Sequence, residues 1–292
     1  MILHLLLVAL LAQAAPLPAA VIADPPRDAA HPASVAPLVI PSGGAAMNGL
    51  IYTASGAGPH PTLLLLHGFP GNEQNLDLAQ AARRAGWNVV TMHYRGSWGS
   101  GGAFSFAHAA EDANAAVAYL LKPETAARFG IDPKRIAVAG HSMGGMMAAR
   151  AVADHPQLLG AFLIDPWDIA STGPFLADPA NVATFRREEL DADMPPLSGT
   201  SAEALIDEIR HAGVSLDLAA TVKTLGTRPL VLVYAEFGNG PDEAKRIEAA
   251  ARAAGGGKLT AMIWPSDHSF SDRRIALAGV LVDWLGSLTP AK

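Results

Sequence analysis

The chain has 292 residues, of which 50% are hydrophobic and 16% charged, a composition that is typical of globular proteins and excludes a disordered chain. Its formal net charge of −6 at pH 7 argues against a nucleic-acid partner. Because the sequence contains no cysteine, disulfides, a thiolate nucleophile and a cysteine metal site are all excluded.

The N-terminus begins with an apolar run of about ten residues that ends in the small-residue pattern Ala12-Gln13-Ala14. The run is too short to span a bilayer, but it matches the core and cleavage site of a signal peptide. We predict a signal peptide over residues 1–20 and a flexible lead-in over 21–34. The protein is then periplasmic or secreted, with no stable membrane insertion after cleavage. Since no Lys or Arg precedes the run, a lipid-facing anchor or a wrong start codon is the alternative.

Apolar runs of strand length alternate with helical patterns after the lead-in, which predicts a mostly parallel central sheet flanked by helices over residues 35–288. The first two runs, "SVAPLVI" and "AAMNGLIYTA", are expected to pair as a hairpin. Further strands are predicted at "PTLLLLHG", "WNVVTMHY", "RIAVAG", "LLGAFLID", "RPLVLVYA" and "KLTAMIW". Helices are predicted at residues 74–85, 107–121, 143–154, 241–254 and 269–288.

A long segment between the sixth and seventh predicted strands lacks strand signals and contains amphipathic pieces such as "TSAEALIDEIRHAG". A connection of this length inside a compact domain usually has its own structure and a function. We predict that residues 169–226 form a helical cap over the functional site. A surface helical insertion without such a role is the alternative.

One serine, Ser142, stands in the pattern G-x-S-x-G between a predicted buried strand and a predicted helix. Side chains two residues before or after it, at Gly140 and Gly144, would collide in so tight a strand-to-helix turn. The helix that begins at Met143 would point the positive end of its dipole at a developing oxyanion. This context favours a nucleophile over an ordinary loop serine.

The loop "HGFPG" follows the third predicted strand, and its glycines, Gly68 and Gly71, allow the backbone to approach a substrate. We expect the N–H groups of Phe69 and Met143 to form an oxyanion hole. A plain turn at the end of the strand is the alternative. His268, in the loop "SDHSFSD" after the last strand, is the predicted base. The histidines form no H-E-x-x-H pattern, so no metal site is expected.

The acid of the site is less well defined by the sequence. Chain order requires a carboxylate between the serine and the histidine, usually in the loop after the seventh strand, which here reads "AEFGNGPDEA". Glu236 is the nearest carboxylate and is the predicted acid, since Glu also serves in such triads. Asp165, at the end of the preceding strand, and Asp242, in the first turn of a helix, are the alternatives.

Three segments, "HGFPGNEQNLDLAQAARRAGWNVVTMHYRGSWGSGGAFSF", "AGHSMGG" and "DHSFSDRRIALAGVLVDWL", together resemble the α/β-hydrolase superfamily, in the branch of serine esterases and prolyl-oligopeptidase-like hydrolases. The resemblance covers roughly residues 35–288 and implies the α/β-hydrolase fold, a Ser-acid-His triad and no cofactor. It departs from the family at the acid position. The chain has no room for the propeller domain of the true oligopeptidases, which favours esterase over peptidase activity.

These observations predict a serine hydrolase that cleaves carboxylic esters of small molecules through an acyl-enzyme. Phe69, Trp98 and Trp167 follow predicted strands and either line the substrate pocket or belong to the core under the cap. An exopeptidase or amidase is an alternative if Glu203 or Glu208 holds a charged substrate terminus. A non-catalytic binding protein with this fold and an acyltransferase are further alternatives.

Overall fold

The computed structural model describes residues 16–255 and 257–288. Most of the predicted signal peptide, residues 1–20, lies outside the described residues, so the peptide and export stay predictions. The described part begins with a short helix, α1 (Ala19–Ile22), and the Nε of Arg84 donates a hydrogen bond to the carbonyl of Ala20 at 2.6 Å. Within these ranges, no helix is long and apolar enough to cross a membrane.

In the described ranges, eight strands form a single sheet in the order β1-β2-β4-β3-β5-β6-β7-β8. The predicted hairpin of β1 and β2 is confirmed, and β2 also pairs antiparallel with β4, whereas all the remaining pairs are parallel. The strands are β1 (Ser34–Ser42), β2 (Ala45–Thr53), β3 (His60–Leu66), β4 (Asn88–Met92), β5 (Ile131–His141), β6 (Ala161–Ile164), β7 (Leu230–Phe237) and β8 (Leu259–Asp267).

Helices cover both faces of this sheet because alternate residues of its buried strands point to opposite sides. On β3, Leu63 and Leu65 belong to one core and Leu64 and Leu66 to the other. The first core is covered by α2 (Leu76–Arg84) and α11 (Arg274–Leu288). The second is covered by α3 (Phe106–Leu120), α4 (Pro123–Phe129), α5 (Met143–Asp154), α9 (Leu218–Lys223) and α10 (Gly240–Ala253). The predicted α/β-hydrolase architecture is thereby confirmed.

The segment between β6 and β7 is helical and strandless, as predicted, and we call it the cap. Its elements are α6 (Ile169–Thr172), α7 (Pro179–Phe185), a π-helical turn (Arg186–Leu190), α8 (Ala202–Arg210) and α9, with 3₁₀ turns at Phe175–Ala177 and Val214–Leu216. The carboxylate of Asp168, at the start of the cap, accepts a hydrogen bond from the N–H of Leu218 at 3.0 Å. The two ends of the cap are therefore neighbours in space.

A second connection holds the start of the cap against α10. The N–H of Asp168 donates to the carboxylate of Glu243 at 3.0 Å, and Arg246 forms an ion pair with Asp168 at 2.7 Å. Both partners lie on α10, which directly follows β7. The chain leaving β6 is thus tied to the chain leaving β7.

The closing helix begins at Arg274 rather than at residue 269. The intervening residues form turns, in which Phe270 has a φ of +55° and the N–H of Ser271 donates to the carboxylate of Asp267 at 2.8 Å. The Asp and Ser side chains of this loop compete with helical hydrogen bonds, which is why the hydrophobic pattern alone placed the boundary too early.

Candidate active site

Ser142 occupies a sharp turn between β5 and α5, with φ +55° and ψ −122°. A Cβ on Gly140 would overlap the carbonyl of Gly144, and a Cβ on Gly144 would overlap the carbonyl of Leu66. Both glycines are therefore required by close backbone packing, as the sequence predicts. A non-glycine residue with positive φ stores backbone strain, and such strain is concentrated at functional sites.

The backbone of Ser142 is held on both sides by the chain that leaves β6. Its N–H donates to the carbonyl of Ile164 at 2.9 Å, and its carbonyl accepts from the N–H of Trp167 at 3.0 Å. The serine side chain is almost buried, at 8% exposure, but it lines an open cavity. Its position is therefore fixed by main-chain contacts while its hydroxyl stays accessible.

His268 follows β8 and lines the same cavity as Ser142. Its Nδ1 lies 2.5 Å from the Oδ2 of Asp165, and its side chain is 40% exposed. No hydrogen bond joins Ser142 to His268 among the side-chain contacts of the described residues. Catalytic hydrogen bonds often form only when substrate is bound, so this geometry is compatible with a serine–histidine pair.

Asp165 is fully buried directly after β6, with a φ of +38°. Its Oδ1 accepts from the N–H of Ala235 and its Oδ2 from the N–H of Asn239, both at 3.0 Å. The side-chain amide of Asn239 donates to the Asp165 carbonyl at 2.8 Å. A Cβ on Gly238 would overlap Oδ2. The carboxylate is thus held in one orientation, pointing at His268.

The structure brings Asp165 to His268 and does not bring Glu236 there. Glu236 is exposed at the end of β7, and its side chain forms no hydrogen bond or ion pair with another described residue. Asp242 is fully exposed and pairs with Lys245 at 3.5 Å. The predicted acid, Glu236, is therefore corrected to Asp165 as the carboxylate in contact with the histidine. The missed signal is the Gly238-Asn239 pair, which leaves space and N–H groups for a carboxylate from the neighbouring strand.

Phe69, predicted to donate one oxyanion hydrogen bond, lines the cavity with Ser142. The Nδ1 of His67 lies 2.7 Å from the carbonyl of Gly68, and burial lowers the pKa of His67 to about 4, so the ring is neutral. In a trans peptide the carbonyl and the next N–H point in opposite directions. Fixing the Gly68 carbonyl on His67 therefore directs the N–H of Phe69 away from that ring.

Gly68, which precedes Phe69, and Met143 both lie next to Ser142. A Cβ on Gly68 would lie 3.0 Å from the Cβ of Ser142. Met143 is the first residue of α5, where helical geometry leaves the N–H without an intrahelical acceptor. The two N–H groups predicted for the oxyanion hole thus belong to segments that meet at Ser142.

His141 packs against His268, a contact that the sequence does not reveal. The two ring centroids are 4.5 Å apart, and the Nε2 of His141 lies 2.9 Å from the carbonyl of His268. Burial, followed by the charge of His268, lowers the pKa of His141 to about 3. The neutral ring donates from Nε2 and helps to fix the loop that carries His268.

The cavity measures about 690 Å³ and reaches from Ser142 to the cap. Of the two alternatives for Phe69 and Trp167, the structure shows that both line the cavity, together with Phe175, Phe185 and Phe237. Trp98 lies elsewhere, with its indole N–H donating to the carbonyl of Pro70 at 2.9 Å. Within residues 16–255 and 257–288, no group of three or more His, Asp or Glu is arranged to hold a metal ion.

The two cap carboxylates considered for holding a charged substrate terminus are bound elsewhere. Glu208 accepts from the N–H groups of Phe106 and Ala107 at 2.9 and 2.7 Å, at the start of α3. Glu203 forms an ion pair with Arg186 on the exposed side of the cap. Neither lines the cavity.

The chain was compared with protein families, curated proteins and solved structures. A family model described as the alpha/beta hydrolase fold matches residues 61–236, which is more than half of the chain. Among curated proteins, no significant match is found.

Solved structures, two of which are named as esterases, share the fold. EstE1, a thermostable carboxylesterase cloned from a metagenomic library, superposes with a TM-score of 0.61 at 21% identity, covering 87% of this chain and 90% of its own. Est1E from Butyrivibrio proteoclasticus gives 0.65 at 16% identity, covering 87% and 99%. An esterase from Pyrobaculum calidifontis gives 0.62 at 18% identity, covering 88% and 87%. Because the family model covers more than half of the chain, the chain belongs to the alpha/beta hydrolase fold family.

Proposed function

We propose that the protein is a serine hydrolase that cleaves carboxylic esters. The observation that carries this proposal is the contact of His268 Nδ1 with the buried Asp165 carboxylate, at 2.5 Å, in a cavity that Ser142 also lines. A buried aspartate that accepts from Nδ1–H leaves the other ring nitrogen free to take a proton from a serine hydroxyl. The esterase neighbours are consistent with this activity, although their similarity to this chain concerns the fold.

In the proposed reaction, Nε2 of His268 takes the hydroxyl proton of Ser142 as Oγ attacks the ester carbonyl carbon. The negative charge moves to the carbonyl oxygen, where the N–H groups of Phe69 and Met143 stabilise it. Collapse of the intermediate breaks the carbon–oxygen bond, and the alcohol leaves with the proton of His268. Water then attacks the acyl-enzyme by the same route, with Asp165 holding the imidazolium in place.

Amide or peptide cleavage by the same residues is the alternative to ester cleavage. An exopeptidase needs a group that binds the charged terminus of its substrate. Glu203 and Glu208, which were candidates for this role, are engaged outside the cavity, whereas two other cap carboxylates, Glu189 and Asp193, line it. We favour esters because they have a better leaving group than amides, so the same residues cleave them more readily.

The proposal is tested by comparing the native protein with Ser142→Ala on nitrophenyl esters of increasing acyl length and on aminoacyl nitroanilides. We expect kcat for the esters to fall by roughly 10⁴–10⁶ in the variant. A fluorophosphonate should label the native protein and not the variant, as measured by intact mass. Ser55→Ala is the matched control, because Ser55 lies outside the cavity and donates only to the carbonyl of His31.

Equal ester rates in native protein and Ser142→Ala, with no fluorophosphonate label, would overturn the serine mechanism. Faster turnover of nitroanilides than of esters would move the activity to amide bonds. The dependence on acyl length measures the size of the acyl pocket.

A further inference from the structure

The charges around the cavity are not balanced. Glu189 and Asp193, both from the cap, line it together with Ser142 and His268, whereas no Lys or Arg side chain does so among the described residues. Neither carboxylate forms an ion pair with another described residue. Asp193 accepts one hydrogen bond, from the amide of Asn72 at 3.4 Å. A bound substrate therefore meets two carboxylates and one histidine.

The arginines of the same cap segment are used elsewhere. The segment reads "RREELDAD" from residue 186 to residue 193. Arg186 forms ion pairs with Asp191 and with Glu203, and Arg187 pairs with Glu188 at 2.7 Å. These pairs lie on the exposed side of the cap, and only Glu189 and Asp193 of this segment's charged residues line the cavity.

The negative charges of the two unpaired carboxylates repel each other. Asp193 is half-buried, and burial, followed by the charge of Glu189, raises its pKa. A cation bound near both carboxylates would reduce this repulsion. Its attraction would also offset the loss of hydrating water from the carboxylates. An anionic group in the same place would be repelled, so the cavity is expected to exclude acidic substrates.

The walls of the cavity suit the same kind of group. Trp167, Phe175 and Phe185 line it on the side of the cap. Aromatic faces attract cations within about 6 Å of the ring centroid, and an alkylammonium group also gains from contact with apolar surface. Carboxylates and aromatic rings together form a site for an organic cation more readily than for a hydrated metal ion.

We propose, resting on the proposed function, that the cavity selects esters that carry an ammonium group, which Glu189, Asp193 and the aromatic rings hold while Ser142 attacks the ester carbonyl. The carboxylates belong to the substrate cavity itself and form no separate site. The ammonium group lies in either the alcohol or the acyl part of the ester, and both arrangements are tested below. The two carboxylates act as specificity residues that do not touch the reacting atoms.

The experiment uses two pairs of esters that differ only in charge. Butyrylcholine is compared with 3,3-dimethylbutyl butyrate for a cation in the alcohol, and ethyl 6-aminohexanoate with ethyl heptanoate for a cation in the acyl group. We expect kcat/KM for the charged ester to exceed that of its neutral partner by about tenfold in one pair, a typical effect of a partly desolvated cation–π and carboxylate site. Added salt should reduce this ratio, because Glu189 is exposed to solvent.

The double variant Glu189→Gln, Asp193→Asn should bring the charged-to-neutral ratio close to one. The matched control is Glu188→Gln, which makes the same chemical change one residue away, on a side chain that pairs with Arg187 outside the cavity. Glu188→Gln should keep the native ratio. Absence of a preference in both ester pairs, an unchanged ratio in the double variant, or an equal loss in Glu188→Gln would each overturn the proposal.

Binding to Ser142→Ala separates this proposal from the proposed function. The same four esters are titrated into that variant, with the fluorescence of Trp167 in the cavity as the signal. Tighter binding of a charged ester, without turnover by the native protein, would overturn ester hydrolysis and support the cation site. Equal binding of charged and neutral esters, with turnover by the native protein, would overturn the cation site and support hydrolysis.

Discussion

The ends of β6 and β7 are neighbours in the sheet, but they contribute to the candidate site in different ways. β6 ends at a buried carboxylate, Asp165, which contacts His268. β7 ends at the exposed Glu236 and continues into Gly238 and Asn239, which surround the carboxylate of Asp165. One strand end provides the charge, and the other provides the space and the N–H donors.

This difference shows that the carboxylate that contacts the histidine need not come from the loop after the seventh strand, where chain order usually places it. It can instead come from the end of the neighbouring strand. Neighbouring strands of a sheet are about 4.8 Å apart, so a carboxylate from either end can reach the same histidine. The end that does not supply the carboxylate must then stay small. Gly238 meets this condition, because any side chain there would occupy the place of the Asp165 oxygen.

The largest effect that tests this comparison is expected for Asp165→Asn. Asparagine has the shape of aspartate but lacks its charge, so His268 would be held in the wrong tautomer and its protonated form would lose its partner. We expect kcat for a nitrophenyl ester to fall by about 10⁴-fold. Glu236→Gln makes the same chemical change at the end of β7 and should leave kcat unchanged.

A loss in Glu236→Gln that equals or exceeds the loss in Asp165→Asn would reverse the roles of the two strand ends. Thermal unfolding of both variants provides the folding control, because Asp165 also accepts backbone hydrogen bonds from Ala235 and Asn239. A folded Asp165→Asn protein with native kcat would show that His268 needs no carboxylate.

A smaller effect is expected for Gly238→Ala, which tests the space at the end of β7. The added methyl group would overlap Oδ2 of Asp165 and displace the carboxylate from His268. A displacement of about 1 Å in a catalytic group can reduce the rate by about 10²-fold, and we expect a loss of this order in kcat. Gly213→Ala is the control, because a Cβ at Gly213 would meet no atom within 4 Å.

Native kcat in Gly238→Ala would show that the ends of β6 and β7 can move apart without loss of activity. Equal losses in Gly238→Ala and Gly213→Ala would point to a general effect of glycine replacement. The steric explanation requires that only the first variant be impaired.

The connection between Glu243 on α10 and Asp168 on the chain leaving β6 lies outside the cavity, so the smallest effect on kcat is expected there and the change concerns stability instead. Burial raises the pKa of Glu243 from 4.5 to about 7. The folded protein therefore keeps a proton that the unfolded chain loses between pH 4.5 and 7, and the free energy of unfolding decreases as pH rises through this window. Glu243→Gln should remove this decrease, which amounts to roughly 3 kcal/mol at full ionisation.

Urea unfolding of the native protein and of Glu243→Gln at pH 5, 6, 7 and 8 measures this effect. The control is Glu248→Gln, since Glu248 is a partly exposed residue of α10 that pairs with Arg252 at 2.5 Å. An identical pH dependence in the native protein and in Glu243→Gln would mean that Glu243 is ionised in the folded protein at every pH tested.

Local sequence patterns predict the fold and pick out Ser142 and His268, which the structure brings to one cavity. Ser142 was recognisable because the glycines around it are required by backbone packing within a few residues. His268 was recognisable because it follows the last strand of a regular alternation. The hairpin, the parallel strands and the cap followed from hydrophobic periodicity, which reports burial directly.

The contact between Asp165 and His268 and the walls of the cavity depend on the packing of distant segments. Glu236 and Asp165 both end predicted strands, and only the packing of the folded chain distinguishes the exposed side chain from the buried one. Glu189 and Asp193 belong to a charged cap segment that resembles a solvated helix face. The pairing of its arginines, which leaves these two unpaired, is not encoded in any local pattern.

The hydrogen bond between Asp168 and Leu218 brings the two ends of the cap together. A segment whose ends meet can be exchanged for a longer or shorter one without moving the strands that it joins. The hydrogen bond from Trp167 to Ser142 lies before this junction, so Ser142 and Asp165 would keep their positions at the sheet if the cap were replaced. Under the proposed function, exchanging the cap would change the part of the cavity wall that Glu189, Asp193 and Phe185 form, and with it the substrates that reach Ser142.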